Sequence, residues 1–352
     1  MNKTISEDPF SGVAVGDYSN GATVDQDTKT RSYAVSAYGA PLKTRRNVQV
    51  QTFHASKEVT LAACVFNTPI LLEISGIGQS EILKQHNITQ LLEIPGVGEN
   101  LQDHLMTGVS YEVNEGIVTG DPLMRQEPSA LEAAQKPYAE QKGPFCFGNT
   151  QSNALMPMDY DLTEILGNTP VKPEDKEFID IVRAIHERPI EATATWFMCF
   201  LSHPFSGGNS HNSSTDAAAM PKVDPKRFSH PADLEVFARH VMALEELRHT
   251  TELFAYLKPD GKRNHPDSHH IGTPEGAKRY ILDTATTTYH SCGTAVMLPR
   301  EKGDVVDTKL KVYGTTNLRI VDASIFPTVP RGNNMSTFCA VTEKAADIIK
   351  GQ

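Results

Sequence analysis

Apolar residues recur every three or four positions in two segments, a spacing that predicts two amphipathic helices. The first segment follows Pro231, a residue type favoured at the start of a helix. The second runs from Ser336 to Lys350, and Gly351 supplies its C-terminal stop. The apolar positions are Leu234, Phe237, Val241, Leu244 and Leu247 in the first segment and Phe338, Val341, Ala345, Ile348 and Ile349 in the second.

Shorter apolar runs predict strands between these helices. Leu318–Ser324 and Lys57–Ala63 have strand character, and Thr195–Leu201 is expected to be a central strand of a sheet. Near the N-terminus, Asn47–Gln51 alternates as a strand does, and Thr30–Tyr38 is expected to begin a helix capped by Thr30.

The last quarter of the chain contains the candidate chemistry. His290 follows an aromatic residue, and Asn333 lies at the N-terminal end of the helix predicted from Ser336. Free N–H groups and the positive end of the helix dipole favour an anion or a developing negative charge at this end. A histidine that faces it is an acid/base site in outline, whereas a lone histidine or a helix-capping asparagine is the ordinary alternative.

Two long blocks resemble the glucose-methanol-choline (GMC) oxidoreductases, which are flavoenzymes that oxidise alcohols. The C-terminal block contains Tyr-His-x-x-Gly-Thr-Ala around His290, Leu-Arg-Ile-Val-Asp-Ala-Ser-Ile-Phe-Pro from Leu318, and Arg-Gly-Asn from Arg331. The other block contains Leu-Leu-Glu-Ile-Ser-Gly-Ile-Gly from Leu71 and Gly-Val-Gly-Glu-Asn-Leu-Gln-Asp-His ending at His104. The blocks occur in the family's order.

The resemblance implies an α/β fold in two domains. Residues 1–104 together with 286–352 correspond to what is left of the FAD-binding domain. Residues 105–285 correspond to a substrate domain with an antiparallel sheet and helices. The implied activity is FAD-dependent oxidation of a primary or secondary alcohol of a small molecule.

The resemblance also implies roles for particular residues. His290 matches the family's catalytic base, and histidine suits this task because its ordinary pKa is about 6.5. Asn333 matches the second member of the catalytic pair, whose amide donates a hydrogen bond to the developing alkoxide. The implied cofactor-binding residues are Asp322 and Ala323, near the ribityl chain of FAD, and Asn334 and Met335, at the pyrimidine edge of the flavin.

The chain departs from the family pattern in three places. It contains no Gly-x-Gly-x-x-Gly, the turn that cradles the pyrophosphate of FAD, because the third glycine after Gly76 and Gly78 is replaced by Glu81. The family's three-stranded excursion is missing between Thr52 and Ser56, and Cys64 occupies a position where the family usually has glycine. These departures put binding of the ADP half of FAD in doubt.

Composition and net charge limit the classes of binding partner and the cellular compartment that we expect for this protein. The 352 residues suffice for roughly two domains. The net charge of −10 argues against nucleic acid and anionic membranes as partners. No signal peptide or apolar span of membrane length is visible, so a cytoplasmic protein is expected from the sequence as written, although members of the family are often secreted.

Cysteine and histidine usage gives little indication of a metal or of disulfides. The five cysteines are odd in number and widely spaced, and we expect them to be buried free thiols. His265, His269 and His270 lie in a loop rich in proline and aspartate without a fixed scaffold, so we expect no metal there.

Three functions are compatible with these features. The first is an FAD-dependent alcohol oxidase or dehydrogenase whose chain is shortened or completed by another chain. The second is a non-redox lyase or cyclase that uses the same histidine and asparagine to move protons. The third is an inactive truncated homologue. The sequence favours the first, with a small aromatic or polyketide-like alcohol of fungal secondary metabolism as the substrate.

Overall fold

The computed structural model describes residues 16–19, 25, 27–31, 55, 57–146, 152–156, 162–167, 176–186, 194–195, 198–302 and 304–351. The strand predicted over Asn47–Gln51 lies outside these residues, as does the helix predicted from Thr30 except for Thr30 and Arg31, which are not helical.

The described residues form helices and short strands in alternation, in agreement with the predicted α/β class. The helices are α1 (Cys64–Ile74), α2 (Ser80–Gln85), α3 (Asp121–Met124), α4 (Pro128–Tyr138), α5 (Leu162–Gly167), α6 (Lys176–His186), α7 (Pro231–Arg248), α8 (Thr251–Phe254), α9 (Pro274–Thr284) and α10 (Met335–Lys350). The strands are β1 (Gly16–Ser19), β2 (Val59–Leu61), β3 (Ile77–Gly78), β4 (Leu92–Glu93), β5 (Leu105–Gly108), β6 (Ser152–Met156), β7 (Ala194–Thr195), β8 (Met198–Leu201), β9 (Asn209–His211), β10 (Lys222–Asp224), β11 (Thr286–Thr287) and β12 (Leu318–Ile320).

Both amphipathic helices predicted from the apolar spacing are confirmed. Helix α7 begins at Pro231, and the side chain of His230 caps it by accepting a hydrogen bond from the N–H of Ala232. Helix α10 ends before Gly351, whose φ of 80° places it in the left-handed region that glycine adopts without steric cost. Local spacing and end signals therefore suffice to locate these two helices.

A parallel pair of strands connects the two halves of the sequence. Strand β12 pairs with β2 so that Leu318 lies opposite Val59 and Ile320 opposite Leu61. Strands β3 and β4 form a second parallel pair. The strands predicted near Lys57 and Leu318 are thus confirmed, and their pairing brings residues about 260 positions apart into contact.

Antiparallel sheets lie elsewhere in the chain. One has the order β11, β5, β8; another has β1, β6, β7; and β9 pairs with β10. The strand predicted over Thr195–Leu201 is found as the end of β7 and β8, but among the described strands β8 borders its sheet and β5 is the central strand. Met198, at the start of β8, is 41% exposed, which suits an edge and not a buried centre.

Two hydrophobic clusters form the interior of the described residues. The first draws its buried side chains from β5, β8, α5, α6, α7 and α9, all between residues 105 and 281. The second draws on α1, β3, β12, α10 and the segments around Val97 and Val305. This separation supports the division we propose, with residues 105–285 as one domain and 1–104 with 286–352 as the other.

The cysteines differ in part from the expected buried thiols. All five are free, and Cys146, Cys199 and Cys292 are buried, but Cys64 and Cys339 are exposed. Cys64 has a φ of 74°, a left-handed conformation that a side chain rarely adopts. This strain explains why glycine is the residue expected at that position in related chains.

None of the described helices is long and apolar enough to cross a lipid bilayer.

Candidate active site

His290 is held by its main chain on both sides. Its N–H donates to Oδ1 of Asp103 at 3.0 Å, and its carbonyl oxygen accepts from Nδ2 of Asn334 at 3.2 Å. The imidazole is half-buried, and burial lowers its pKa below the ordinary value. A neutral imidazole at the protein surface near pH 7 is a competent proton acceptor.

The segment Leu101–His104 lies alongside the segment that contains His290 because strands β5 and β11 continue into them. Thr287 lies opposite Leu105 in the sheet, and the N–H of Thr288 donates to the carbonyl of His104 at 3.1 Å. Gln102 and Cys292 exchange two main-chain hydrogen bonds of 3.0 and 2.9 Å. The extended pairing thus delivers Asp103 and His104 to His290.

The rings of His104 and His290 meet edge to face. Their Nδ1 atoms are 2.9 Å apart, their centroids 5.1 Å apart, and their planes cross at 86°. His104 is 1% exposed, and its pKa is lowered to about 3, mainly by burial and then by the neighbouring His290 and His203. His104 is therefore neutral at physiological pH, and the ring contact is a hydrogen bond between two imidazoles.

Asp103 links the main chain of His290 to β11. Besides accepting from His290, its carboxylate accepts a hydrogen bond from the hydroxyl of Thr287. Burial raises the pKa of Asp103, while these two hydrogen bonds and the nearby side chains of His290 and Arg227 oppose the shift. The carboxylate positions the histidine and needs no direct contact with a substrate to do so.

Asn333 and Asn334 point to different surroundings. Asn333 is exposed, and its side chain makes no hydrogen bond to any residue that the structure describes. Asn334 is 1% exposed, and its amide contacts the His290 carbonyl. Within the described chain it is therefore Asn334, the residue before α10, that touches His290, while Asn333 lies in front of the helix and open to solvent.

The four residues predicted to bind the cofactor lie on two elements. Asp322 accepts from the N–H of Cys64 at 3.2 Å, the hydroxyl of Thr68 at 2.6 Å and the N–H of Ser324 at 2.8 Å, so its carboxylate joins the end of β12 to the start of α1. The carbonyl of Ala323 accepts from Gly293, two residues beyond Ser291. Asn334 and Met335 lie at the start of α10, where Met335 is 45% exposed.

These residues fit the ring end of a flavin. The start of α10 has no side-chain cap, so the N–H groups of its first turn are available to acceptors on a ligand. Oδ1 of Asn334 is buried and has no hydrogen-bond partner in the described structure. Such an atom is expected to accept from a ligand, for example from an N–H of a flavin ring. For the pyrophosphate end the sequence as given offers no glycine-rich turn.

A cavity of about 150 Å³ is lined in part by Asp103. Its polar lining residues are Asp103, Ser206, Arg227, Thr287 and Ser291, and its other lining residues are apolar. Asp103 thus lines this cavity and also accepts from the main chain of His290.

One histidine of the 265–270 loop lies close to two carboxylates. His269 and His270 are exposed, while donor atoms of His265, Asp267 and Asp283 lie within 4.8 Å of one another. Nδ1 of His265 accepts from the N–H of Asp267 at 3.2 Å, so the proton of the neutral ring is on Nε2, which lies 3.9 Å from the Asp283 carboxylate.

Sequence reasoning did not identify Asp103 or His104 as part of this site. Both belong to the quoted Leu-Gln-Asp-His segment, in which three polar side chains follow one another directly before a strand. Such a run is a signal for an edge of the sheet where polar groups gather, but it does not name the residue that they contact.

Comparison with known proteins identifies the family. Models described as GMC oxidoreductase match residues 17–106 and 204–342. The GMC oxidoreductase family protein Mala s 12 of Malassezia sympodialis is 28% identical over 398 residues, covering 100% of this chain and 64% of the relative. Patulin synthase of Penicillium expansum is 30% identical over 320 residues, covering 85% of this chain and 50% of the relative.

Solved structures agree in fold. An FAD-dependent oxidoreductase from Chaetomium thermophilum superimposes with a TM-score of 0.82 at 22% identity, covering 99% of this chain and 69% of that one. The chain therefore spans about half to two thirds of the length of these relatives. On the two family matches, which together cover most of its residues, the chain belongs to the GMC oxidoreductase family.

Proposed function

We propose that this chain takes part in the FAD-dependent oxidation of a hydroxyl group on a small molecule. The observation that supports the proposal most directly is the placement of His290. It is half-buried, tethered through both main-chain groups and adjacent to the uncapped start of α10. The family to which the chain belongs supplies the reaction class.

The reaction removes a proton from the hydroxyl oxygen and a hydride from the carbon that bears it. The imidazole of His290 accepts the proton, since burial lowers its pKa and leaves it neutral at pH 7. Asn333, exposed in front of α10, donates a hydrogen bond from its amide to the alkoxide as negative charge develops there. A bound flavin supplies the acceptor for the hydride.

The proposed cofactor contacts come from two places. The uncapped start of α10, with Asn334 and Met335, would hold the flavin ring, and the main chain of Asp322 and Ala323 would hold the ribityl chain. The Asp322 carboxylate is engaged within the protein, so any contact from this residue is through its main chain.

The proposed substrate is a small aromatic or polyketide-like alcohol. Patulin synthase, one of the similar proteins, is named for the making of a single product, patulin, in a fungus. Simple sugars and choline are the competing substrates to exclude, because the family as a whole also takes those classes.

Purification of the full chain tests the proposal. We expect flavin absorbance after incubation with FAD, and its bleaching under anaerobic conditions on addition of an aryl alcohol. His290→Gln should lower the rate of bleaching by about 10²- to 10⁴-fold, the usual contribution of a general base. His269→Gln changes an exposed histidine and serves as the matched control.

Two outcomes would contradict the proposal. A folded protein that binds no flavin at saturating FAD lacks the cofactor site. Bleaching that is equally fast in the His290→Gln variant removes His290 from the reaction. Turnover limited to glucose or choline would instead overturn only the substrate class.

A further inference from the structure

The contact between His104 and His290 requires a definite arrangement of protons. The two Nδ1 atoms lie 2.9 Å apart, a distance at which one must donate and the other accept. Two neutral imidazoles carry one proton each. The ring that donates through Nδ1 therefore has an unprotonated Nε2, and the ring that accepts has a protonated Nε2.

The proposed role of His290 decides which ring accepts. A base presents an unprotonated nitrogen to the substrate, and His290 does so at Nε2 only when its proton lies on Nδ1. His104 then accepts at its own Nδ1, and the proton of its ring lies on the buried Nε2. The main chain of Ser202, which raises the pKa of His104, agrees with this arrangement.

We propose that His104 is a positioning residue that accepts a hydrogen bond from Nδ1 of His290 and so holds His290 in the tautomer whose Nε2 is unprotonated. The inference rests on the function proposed above, in which His290 is the base. A base must present a lone pair to the substrate, and only this tautomer leaves one on the nitrogen that faces away from His104.

The main-chain contacts of His290 do not perform this task. Asp103 and Asn334 hold the N–H and the carbonyl of His290, which sets where the residue lies but leaves the ring free to turn about its side-chain bonds. The bond to His104 is the contact that the described structure gives to a ring nitrogen of His290. It therefore sets both the orientation of the ring and its tautomer.

Two substitutions at His104 separate the hydrogen bond from the packing. In His104→Asn the side-chain oxygen lies near the position of Nδ1 and keeps an acceptor for His290. In His104→Leu the volume is largely kept and the acceptor is lost. A positioning role predicts that the asparagine variant behaves like the unchanged protein and the leucine variant does not.

Nitrogen NMR of the full chain with ¹⁵N-labelled histidine measures the tautomer without cofactor or substrate. We expect His290, assigned by comparison with His290→Gln, to carry its proton on Nδ1 in the unchanged protein and in His104→Asn. His104→Leu should show a mixture of both tautomers. A proton on Nε2 of His290 in the unchanged protein would overturn the inference, whether or not the leucine variant folds.

Kinetics provide a second and separate readout. His104→Leu should lower kcat by roughly tenfold to a hundredfold with KM unchanged, and His104→Asn should stay within about threefold of the unchanged protein. An unaltered kcat in a leucine variant whose tautomer has shifted would refute the positioning role. If the unchanged protein oxidises no alcohol, the proposed function fails while the NMR result still decides the tautomer.

Discussion

At the scale of single residues, a buried polar side chain contributes most to stability where no other group can take over its hydrogen bonds. Asp233 is an example: it is fully buried at the start of α7, and its carboxylate accepts from the N–H groups of Phe205 at 2.8 Å and Ser206 at 2.9 Å. Burial raises its pKa to about 6, and the hydrogen bonds from Phe205 and Ser206 oppose this rise because they favour the ionised carboxylate. Removing such a group leaves donors buried without partners.

Asp233→Ala should therefore destabilise the fold by about 2–4 kcal/mol, since each unpaired buried N–H costs about 1–3 kcal/mol. Urea unfolding monitored by circular dichroism measures the change in the free energy of unfolding. Asp260→Ala, at an exposed aspartate, should change that free energy by less than about 0.5 kcal/mol. Equal effects of the two substitutions would contradict the role given to Asp233.

Gly293 is a second residue whose identity is set by its surroundings, because a neighbouring carbonyl group leaves no room for a side chain. It has a φ of 95°, and a Cβ added there would lie 2.4 Å from the carbonyl oxygen of Asn100. The residue also joins the His290 segment to Ala323 through a 3.1 Å hydrogen bond. No side chain fits without displacement of the main chain beside the candidate site.

Gly293→Ala is accordingly expected to lower stability by more than the roughly 1 kcal/mol attributable to a positive φ alone. Gly116→Ala is the matched control, because Gly116 has a φ of 84° with nothing within 4 Å of an added Cβ. The two variants should differ clearly in urea unfolding. A loss of stability that is the same for both would show that the contact with Asn100 relaxes easily.

At the scale of elements, an ion pair between His211 and Glu73 connects α1 to β9. Nδ1 of His211 on β9 lies 2.6 Å from the fully buried carboxylate of Glu73 on α1, and its Nε2 lies 3.0 Å from Glu99. Burial lowers the pKa of His211, but hydrogen bonds and charge from both glutamates outweigh it and raise the pKa to about 9. The protonated ring thus bridges two carboxylates from separate segments.

The pH dependence of this bridge has a definite sign. The pKa of His211 rises from about 6.5 in the unfolded chain to about 9 in the folded one, so its stabilisation is complete below pH 6.5 and is lost as the pH rises through 9. We expect the thermal midpoint to fall between pH 6.5 and 9.5, and to fall much less in His211→Gln. Differential scanning fluorimetry measures it, with His269→Gln as the control at an exposed histidine. An equal fall in His211→Gln would assign the effect to other groups.

At the scale of the whole molecule, the two hydrophobic clusters are the units on which stability depends. Phe237 belongs to the first cluster and Ile320 to the second, and both are fully buried. The clusters draw on different segments of the chain, and the second closes only when residues near both ends of the sequence meet. A substitution that destabilises one cluster should therefore loosen the structure of that cluster first.

Amide hydrogen exchange followed by mass spectrometry tests this independence. Phe237→Ala should cost about 3–5 kcal/mol and Ile320→Ala about 2–5 kcal/mol, which are the usual costs of emptying a buried site. Exchange should accelerate mainly in α7, β5 and β8 in the first variant and mainly in α1 and β12 in the second. Uniform acceleration across both clusters in either variant would argue against the proposed two-domain division.

The sequence by itself determined the helices α7 and α10, the strands β2 and β12 and the family. These depend on period, end signals and local residue order, all of which are written in neighbouring positions. The same reasoning placed His290 in a segment beside the start of α10. It did not indicate which residues contact the imidazole of His290.

Only the tertiary structure decided which residues surround His290. The contact with His104 joins positions 186 residues apart, and the inward turn of Asn334 with the outward turn of Asn333 depends on how α10 packs. A periodic pattern specifies which face of an element is buried but not which distant element covers it. That choice arises from the pairing of β5 with β11, which the strand sequences, a few residues long, do not encode locally.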